Sequence, residues 1–521
     1  MKSSMDKKNS SAQAFSHHDG YLFHFCRNGI GKFLFLFCCL LLLSSFASAC
    51  NLPVIPTAVS TATLTPVSYT STPTAPAFTP TTAPTFTPEP SPTSTPTPVA
   101  KRSQYRFNVE LNIYENSLNA EEVISYVSHS QSPLSHIMLA IPPKNYSEVF
   151  ALKDLLISGQ RMRYEWVDNN IRIPLSAPLL YGESVEIQIL YRLKLPECYC
   201  EFGYTQYQIN LGDWYPYVPP LADNGEWIIH KPGWVGEYII SDLADFSLQL
   251  NELPAEWKIA SNARPDPGRT NLMTINNARN LALSLSSLFE IYEITENNVK
   301  IQVYAFSAHA EGAKAAQKTA SESLALFSEL FGPYPHPSLT IVDAVVPDGM
   351  EYDGLFLLSH QYFAEYDGTP KNYLTILAAH ETAHQWFAGR IASDPVTEPW
   401  LDETLCTFSE LLYFEKYLPD LAEWWQTFRI REYTPQGMVN QPATNFQAFR
   451  PYVNATYLRG ALFLLKVRDL SSPEIFLQAL GRYTLLFREK KASGLDFLTV
   501  LGDYYPVDAL NTIKKDYFQE P

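Results

Sequence analysis

The sequence predicts a multidomain α+β protein in which a β-rich domain precedes a mainly helical domain. The chain has 521 residues, which is too long for a single hydrophobic core. From Ser103 to about residue 297, apolar residues recur at every second position, as in half-buried strands. After Phe306 the apolar spacing lengthens to the intervals typical of helices. We therefore place two folded domains at residues 103–297 and 298–521.

The first element along the chain is an apolar run from Phe33 to Phe46, which follows basic residues and precedes Ala47-Ser48-Ala49-Cys50. A basic start, about 14 apolar residues and small residues at a cleavage site are typical of a secretory signal peptide. A transmembrane helix needs about 20 apolar residues. Ala-Ser-Ala-Cys resembles a bacterial lipobox, which implies a lipid on the Cys50 thiol. We expect residues 1–49 to be a lipoprotein signal peptide and the protein to be extracytoplasmic, lipid-anchored to the cell membrane. An ordinary signal peptide and an uncleaved anchor remain open alternatives.

Residues 50–102 are predicted to form a disordered linker between the anchor and the folded domains. Residues 51–100 contain 12 Pro and 15 Thr, with Glu89 as the only charged residue. Such a composition cannot bury enough apolar surface to fold. The net charge of the whole chain is −16, which argues against nucleic acid as a partner because phosphates require Lys and Arg contacts.

The β-rich domain is predicted from alternating segments such as Tyr105 to Ile113 and Val185 to Leu195. Its two cysteines, Cys198 and Cys200, are separated by one residue. This spacing disfavours a relaxed disulfide, so we expect two free thiols and keep a strained disulfide as the alternative.

The second domain is predicted to begin with a helix over Glu311 to Leu330, which ends at a Gly-Pro pair. A short strand from Leu339 to Val346 follows. Two further helices are predicted over Tyr373 to Ala388 and Leu401 to Tyr417.

A metal-binding pattern lies inside the helix that starts at Tyr373. His380-Glu381-Thr382-Ala383-His384 places two imidazoles four residues apart, on one helix face, where both can reach one metal. Imidazole and carboxylate suit zinc, and Glu381 is placed to take a proton from a water at the metal without binding it. The alternative is that the two histidines have no common function and simply occur in the same helix. The apolar surroundings favour a metal, because buried histidines and a buried carboxylate need a partner.

Eighteen residues separate His384 from Glu403, which lies in Trp400-Leu401-Asp402-Glu403, with Glu410 seven residues further on. The combination resembles the aminopeptidase N and leukotriene hydrolase family of zinc peptidases. The resemblance implies one Zn²⁺ per chain, held by His380, His384 and Glu403. Glu410 is predicted either to orient a ligand or to form an exposed salt bridge.

Two further segments are similar to motifs of that family. Asp348-Gly349-Met350-Glu351-Tyr352 resembles the G-x-M-E-N motif, which implies an edge strand for the substrate backbone and a carboxylate, Glu351, for its free α-amine. Tyr352 replaces the family's Asn. Tyr457-Leu458-Arg459-Gly460 resembles Y-x-K-G, which implies that Tyr457 donates to the oxyanion.

The resemblance extends more weakly into the first domain, where Thr205 to Ile209 implies that Gln208 also binds the amine. It implies an antiparallel β-saddle domain followed by a thermolysin-like catalytic domain. Because 64 residues follow Tyr457, we expect the large helical C-terminal domain of many relatives to be absent.

These observations predict a zinc metallopeptidase, specifically an aminopeptidase that hydrolyses N-terminal residues from peptides with a free N-terminus. Its catalytic residues are predicted to be Glu381 and Tyr457, and its substrate-binding residues Gly349, Met350, Glu351 and Gln208. A zinc endopeptidase or other hydrolase on the same site is one alternative. A catalytically silent surface binding protein is another, although it would be free to lose the ligands that this chain keeps.

Overall fold

The structure is a computed structural model that describes residues 101–269 and 271–520. The predicted signal peptide (1–49), the predicted lipid site Cys50 and almost all of the predicted linker therefore lie outside the described residues. None of the helices within the described ranges is both long and apolar enough to cross a membrane.

The N-terminal domain is built from strands, as the period-two pattern predicted. The strands are β1 (Ser103–Asn112), β2 (Ser117–Val127), β3 (Leu134–Leu139), β4 (Phe150–Ile157), β5 (Gln160–Arg161), β6 (Glu165–Val167), β7 (Asn170–Leu179), β8 (Ser184–Lys194), β9 (Phe202–Tyr204), β10 (Ile209–Leu211), β11 (Ala244–Leu250), β12 (Lys258–Ser261), β13 (Arg264–Pro265), β14 (Leu272–Ala278) and β15 (Leu283–Ser286). They form an eight-stranded sheet in the order β13-β14-β11-β1-β2-β8-β4-β5, a three-stranded sheet β3-β7-β6 and a four-stranded sheet β12-β15-β10-β9. Pairing is antiparallel except between β1 and β11.

Alternation along the central strand β1 explains how this domain folds. Tyr105, Phe107, Val109 and Leu111 are buried, and the residues between them are exposed. Because successive side chains of a strand point to opposite faces, one face of the sheet supplies the domain core and the other meets solvent.

A separate five-stranded sheet begins the C-terminal half. Its strands are β16 (Phe289–Glu296), β17 (Val299–Phe306), β18 (Ser338–Ala344), β19 (Met350–Tyr352) and β20 (Leu355–Ser359), in the order β16-β17-β18-β20-β19. β17, β18 and β20 run parallel, and β18 and β20 are fully buried, whereas β19 is an antiparallel strand at the sheet edge. A two-stranded pair joins β21 (Ile391–Ala392) to β22 (Lys490–Lys491).

The predicted boundary between residues 297 and 298 is displaced by this sheet. β16 and β17 form an antiparallel hairpin whose turn contains Asn297 and Asn298, both with positive φ. The boundary therefore cuts the turn of a hairpin, and β16 pairs in the sheet of the second domain.

Helices pack around this five-stranded sheet. They are α1 (Ala310–Phe331), α2 (His360–Ala364), α3 (Tyr373–Ala383), α4 (Trp400–Tyr417), α5 (Ala422–Trp425), α6 (Phe449–Val453), α7 (Gly460–Arg468), α8 (Pro473–Phe487), α9 (Gly494–Tyr504) and α10 (Val507–Tyr517). Two π-helical segments, Gln426–Ile430 and Asn454–Arg459, follow α5 and α6. The large apolar core of this half includes four fully buried aromatic side chains from α1, the loop after α3, α4 and α5, which are Phe327, Trp386, Trp400 and Trp425.

The buried helix α3 is shorter than predicted. Asn372 caps its first turn by accepting a hydrogen bond from the Thr375 N–H at 2.9 Å. The regular helix ends at Ala383 rather than at Ala388, and turns continue from 384 to 390. His384 nevertheless keeps helical dihedrals, and its N–H donates to the His380 carbonyl at 3.2 Å, so both histidines share one helix face.

The two cysteines of the β domain differ from the prediction of free thiols. Cys198 and Cys200 form a disulfide with a Cα–Cα distance of 5.4 Å. Cys406 is a buried free thiol in α4.

Candidate metal centre

Two successive helices bring the three predicted ligands together. His380 and His384 come from α3 and its following turn, and Glu403 comes from the first turn of α4. His380 Nε2 lies 3.2 Å from Glu403 Oε2 and 3.1 Å from His384 Nε2, and His384 Nε2 lies 3.4 Å from the same Glu403 oxygen. The three side chains are buried.

This donor set fits zinc. Two imidazole nitrogens and one carboxylate oxygen lie within 4.8 Å of one another, and three protein ligands are the number that catalytic zinc sites use. Without an ion, burying these three groups together would be costly, because two rings and an anion would be desolvated for weak mutual contacts. His380, His384 and Glu403 are therefore the residues that would hold Zn²⁺.

A buried ion pair orients the first ligand. His380 Nδ1 donates to Glu410 Oε1 at 2.8 Å, which leaves Nε2 free for a metal. Glu410 accepts two more hydrogen bonds from Arg429, each at 3.0 Å, and one from the Trp425 indole at 2.9 Å. Burial opposes charging of Glu410, but the Arg429 guanidinium holds the pKa of this carboxyl below its usual value. Of the two roles predicted for Glu410, the structure therefore shows the buried, orienting one.

The same contacts also change the pKa of the His380 imidazole. Burial alone would lower the pKa of this imidazole, but hydrogen bonds to the Glu403 and Glu410 carboxylates raise it to about 9. The ring is thus surrounded by negative charge, which favours a cation at this position, either a proton or a metal.

Glu381 lies beside the three ligands and is held against a glycine. A Cβ atom on Gly349 would lie 2.1 Å from Glu381 Oε1, so only glycine leaves room for this carboxylate. Glu381 is 4% exposed, and its Oε2 has no hydrogen-bond partner among the described residues. Burial, and next the negative charge of Glu351, raise the pKa of Glu381. A carboxyl with an elevated pKa and a free oxygen suits proton transfer.

Tyr457 approaches the ligands from the π-helical segment Asn454–Arg459. Its hydroxyl donates to Glu403 Oε1, and its ring stacks on the His380 imidazole with centroids 5.9 Å apart. The segment is fixed on α4 because Gly460 has no side chain, since a Cβ there would lie 1.8 Å from Thr404 Oγ1. The predicted oxyanion donor thus lies beside the metal ligands.

The edge strand β19 lies beside the second histidine. Glu351 Oε1 is 3.3 Å from His384 Nδ1, and Met350 lines the adjacent cavity. Gln385, the residue after the second histidine, fixes the strand, because its side chain donates to the Tyr352 carbonyl at 3.0 Å and accepts from the Gly354 N–H at 2.8 Å. Substitution of the family's Asn by Tyr352 therefore leaves the edge strand in place.

A cavity of about 90 Å³ opens beside His384 and Glu351, between the β domain and the helical domain. It is several times larger than the roughly 15 Å³ that one water needs by the same measure. Its walls include four acidic residues that sequence reasoning did not assign, namely Asp213, Glu237, Asp353 and Asp402. Asp213 and Glu237 belong to no sequence motif that we recognised. Only the folded structure, which places both at this cavity, identifies them as candidates. Asp402 was visible in the sequence as the neighbour of a ligand.

Gln208, the predicted second amine-binding residue, has a different environment. It is 2% exposed, and its amide nitrogen donates to Ser284 Oγ at 2.8 Å and to the Asp343 carbonyl at 3.4 Å. Its amide oxygen accepts from the Val345 N–H at 2.8 Å. The side chain is thus engaged within the protein and does not line the cavity, so the predicted contact with the substrate amine is not supported. The residue instead ties β10 to the end of β18.

The fold and this site define a class of protein, the zinc metallopeptidases that combine a His-Glu-x-x-His helix with a third ligand from the next helix. Residues 315–517 match the peptidase family M1 domain. The matched region contains Glu351, the His380–His384 pattern, Glu403 and Tyr457, the residues on which the predicted resemblance is based.

Curated relatives match over less than half of the chain. Endoplasmic reticulum aminopeptidase 1 from Mus musculus is 24% identical over 251 residues, covering 45% of this chain and 27% of the relative. Aminopeptidase N from Lactobacillus delbrueckii subsp. lactis is 24% identical over 244 residues, covering 43% of this chain and 28% of the relative. The aligned region thus spans just over a quarter of the length of these relatives.

Solved structures share the fold over a longer span. An M1 zinc metallopeptidase from Deinococcus radiodurans superposes with a TM-score of 0.57 at 18% identity, covering 81% of this chain and 95% of that one. A point mutant of the Deinococcus radiodurans metallopeptidase, bound to a Tyr-Ser-Ala substrate, gives a TM-score of 0.56 at the same identity and with the same coverage of both chains. The likeness includes the β-rich domain as well as the helical one.

Proposed function

We propose that this protein is a zinc-dependent aminopeptidase that removes the first residue from peptides with a free N-terminus. The observation that carries the proposal is the position of Glu351, whose carboxylate lies 3.3 Å from a ring nitrogen of the ligand His384. A carboxylate beside the metal pairs with the ammonium of a substrate through charge-assisted hydrogen bonds. The first peptide bond then falls at the metal, so cleavage is limited to the N-terminal residue.

Zinc, when bound, would polarise the scissile carbonyl and lower the pKa of the attacking water. Glu381 would accept the proton of that water on its free oxygen and pass it to the leaving amine. Tyr457 would donate its hydroxyl hydrogen to the developing oxyanion, exchanging its present contact with Glu403 for the substrate. The backbone of β19, at the open edge of its sheet, would pair with the extended substrate.

The comparisons support this proposal at the level of family. The curated relatives are aminopeptidases by name, and one structural neighbour was solved with a Tyr-Ser-Ala substrate. An intact set of three ligands and Glu381 argues against a catalytically silent binding protein, since such a protein would be under no physical requirement to keep them.

Metal analysis together with a matched substrate pair tests the proposal. We expect one Zn²⁺ per chain and hydrolysis of leucyl p-nitroanilide, with the N-acetylated form resistant because its amine carries no charge for Glu351. The Glu381→Gln variant should keep its zinc and lose turnover. Equal cleavage of free and N-acetylated substrates would instead identify an endopeptidase, and an absence of stoichiometric metal would refute the hydrolase.

We further propose that the enzyme acts outside the cytoplasm, anchored by a lipid on Cys50. The support is the sequence around the predicted cleavage site, Ala47-Ser48-Ala49-Cys50. In a bacterial host, the Cys50→Ser variant should move from the membrane fraction to a soluble fraction, and mass spectrometry of the wild-type N-terminus should show acyl chains. Membrane association of the variant equal to that of the wild type would refute the lipid anchor.

A further inference from the structure

The disulfide between Cys198 and Cys200 closes a very small loop. Only Tyr199 separates the two cysteines, and their Cα atoms are 5.4 Å apart. A disulfide stabilises a fold mainly by restricting the unfolded chain, and this effect grows with the number of residues in the closed loop. A loop of three residues is near the lower limit of that effect. Stabilisation of the fold therefore gives this disulfide only a small role.

The loop that carries the disulfide lies at the protein surface. Cys198 and Cys200 are half-buried, and Tyr199 between them is 64% exposed. Thiol–disulfide exchange requires a thiolate to attack one of the two sulfur atoms directly, so access governs its rate. Cys406, the third cysteine of the described ranges, is fully buried and lacks such access. Among the described residues, exchange chemistry is thus confined to this loop.

Backbone hydrogen bonds hold the loop in place without the disulfide. The Cys198 N–H donates to the Tyr204 carbonyl at 3.1 Å, and the Tyr204 N–H donates to the Pro196 carbonyl at 2.9 Å. The Cys200 carbonyl accepts from the Asn210 side-chain amide at 3.1 Å. These bonds tie both cysteines to strands β9 and β10. Cleavage of the sulfur–sulfur bond would therefore leave the two side chains next to each other, in position to form it again.

The loop also offers a hydrogen-bond acceptor to the reduced form. The sulfur atoms of Cys198 and Cys200 lie 3.3 and 3.0 Å from the Phe202 carbonyl oxygen. A thiol is a weak donor, so either cysteine could donate to this oxygen once its sulfur carries a hydrogen. At Gly203, an added Cβ would lie 2.5 Å from the Cys198 sulfur, so glycine is what lets β9 pack this closely on the loop. The loop is thus suited to both redox states.

We propose that Cys198 and Cys200 form a reversible redox site that exchanges electrons with dithiols. One thiolate of the dithiol attacks a sulfur of the disulfide, which forms a mixed disulfide and releases the other cysteine as a thiolate. The second thiol of the dithiol then displaces the cysteine that it holds. The dithiol leaves as a disulfide, and the protein gains two electrons and two protons as two thiols. This chemistry needs neither zinc nor the residues that would hold it.

Alkylation of the native full chain tests the proposal. In buffer without denaturant, iodoacetamide should label Cys198 and Cys200 after treatment with millimolar dithiothreitol, and should leave both unlabelled before it. Oxidised glutathione, added after the dithiothreitol is removed, should restore the unlabelled state. Cys406→Ala is the matched control and should behave like the wild type. Labelling that appears only in denaturant, or that needs no reductant, would refute the proposal.

Single-cysteine variants detect the mixed disulfide. In Cys198→Ser, the remaining Cys200 should form a stable adduct with oxidised glutathione, because no second thiol is present to displace the glutathionyl group. Cys200→Ser should give the complementary adduct at Cys198, which provides a second test if one variant does not fold. Intact-protein mass spectrometry should show one additional glutathionyl group that dithiothreitol removes. Folded variants that form no adduct would contradict exchange at this loop.

The melting temperature distinguishes a redox site from a structural disulfide. Because the loop contains three residues, reduction should lower the melting temperature by no more than about 5 °C. A larger loss would identify a structural disulfide and refute the redox site.

Reduction rates then identify the source of the dithiol. Faster reduction by thioredoxin than by dithiothreitol at equal concentration would support the redox site with a protein dithiol as its partner. Faster reduction by dithiothreitol would support it with a small dithiol. Reduction of the folded protein by neither reagent would overturn the proposal.

Discussion

Gly349 and Glu381 are in direct contact, and the contact leaves no room for a side chain on the glycine. An added Cβ would meet Glu381 Oε1 at 2.1 Å and its carboxyl carbon at 2.7 Å. The glycine precedes the edge strand β19, and the glutamate lies in the buried helix α3. The substrate strand and the proposed general base are therefore positioned against each other.

Gly349→Ala should abolish most turnover with little loss of stability. The clashing atoms are the end of a flexible side chain, so Glu381 can swing away, but it then leaves the position from which it can take the proton. Displacement of a reacting group by about 1 Å costs on the order of a hundredfold in rate. Steady-state kinetics, zinc analysis and thermal unfolding together check the prediction.

Gly502→Ala is the matched control for that substitution. Gly502 lies in helix α9, and nothing is within 4 Å of the position its Cβ would take. This variant should keep wild-type kinetics and gain up to about 1 kcal/mol from helix propensity. A Gly349→Ala enzyme with wild-type kcat would show that Glu381 tolerates displacement.

Arg429→Met should destabilise the domain and weaken metal binding. The substitution leaves Glu410 as a buried carboxylate without its ion-pair partner, which typically costs about 3–5 kcal/mol. Glu410 also orients His380, so zinc affinity should fall by about 10- to 100-fold. Denaturant unfolding of the metal-free protein and competition titration with a zinc chelator measure the two effects.

Arg431→Met is the control for losing an arginine from an ion pair that is not buried. Arg431 pairs with Glu423, and both side chains are more than half exposed, so the change should alter stability by less than about 1 kcal/mol. If Arg429→Met and Arg431→Met lowered the free energy of unfolding equally, burial of the Glu410–Arg429 pair would not increase the cost of losing its arginine.

Tyr457→Phe should lower kcat with little change in zinc content. The hydroxyl is proposed to donate to the oxyanion only as charge develops there, and removal of one such donor costs about 10²- to 10³-fold in kcat. Tyr417→Phe, at the end of α4 away from the ligands, should behave like the wild type. If the Tyr457→Phe enzyme instead lost zinc while the zinc-loaded fraction kept its kcat, the hydroxyl would serve to hold Glu403 in its metal-binding position.

The stability of the β domain should fall as pH rises, because of Glu122. This residue is fully buried among apolar strands beside Tyr191, and burial raises its pKa well above the usual value. The folded state therefore retains a proton that the unfolded chain releases above about pH 4.3. From that pH upward, the free energy of unfolding should decrease by about 1.4 kcal/mol per pH unit until the folded-state pKa is reached.

Glu122→Gln removes this dependence, since an amide does not titrate. Wild-type and variant unfolding curves measured from pH 5 to pH 8 should diverge with increasing pH, in favour of the variant. Glu110→Gln, at an exposed position of β1, should follow the wild type throughout. Parallel curves for Glu122→Gln and the wild type would show that Glu122 is ionised in the folded protein.

The metal-binding residues were predictable because their geometry is encoded locally. Two histidines four residues apart on one helix meet whatever the rest of the fold does, and the W-L-x-E segment marked Glu403 through the family resemblance. Period-two alternation likewise identified β1 and β8. Residues whose partners lie far away in sequence were not predictable in this way.

Gln208 and Glu237 illustrate what sequence patterns miss. Gln208 lies in a segment similar to the family's amine-binding one, yet its amide bonds to Ser284, Asp343 and Val345, all more than 70 positions away. Glu237 belongs to a segment without regular secondary structure, and only the packing of the two domains brings it to the cavity that Glu351 also lines. The Cys198–Cys200 disulfide was also misjudged, because the local chain path that joins the two thiols is not visible in their spacing.

The hairpin of β16 and β17 has a practical consequence for anyone dividing this protein into parts. A fragment that starts at residue 298 would lack β16 and would leave the amides and carbonyls along one edge of β17 unpaired. Such an edge recruits strands from other molecules, so this fragment should aggregate during expression. A division placed before Phe289 would keep the edge covered.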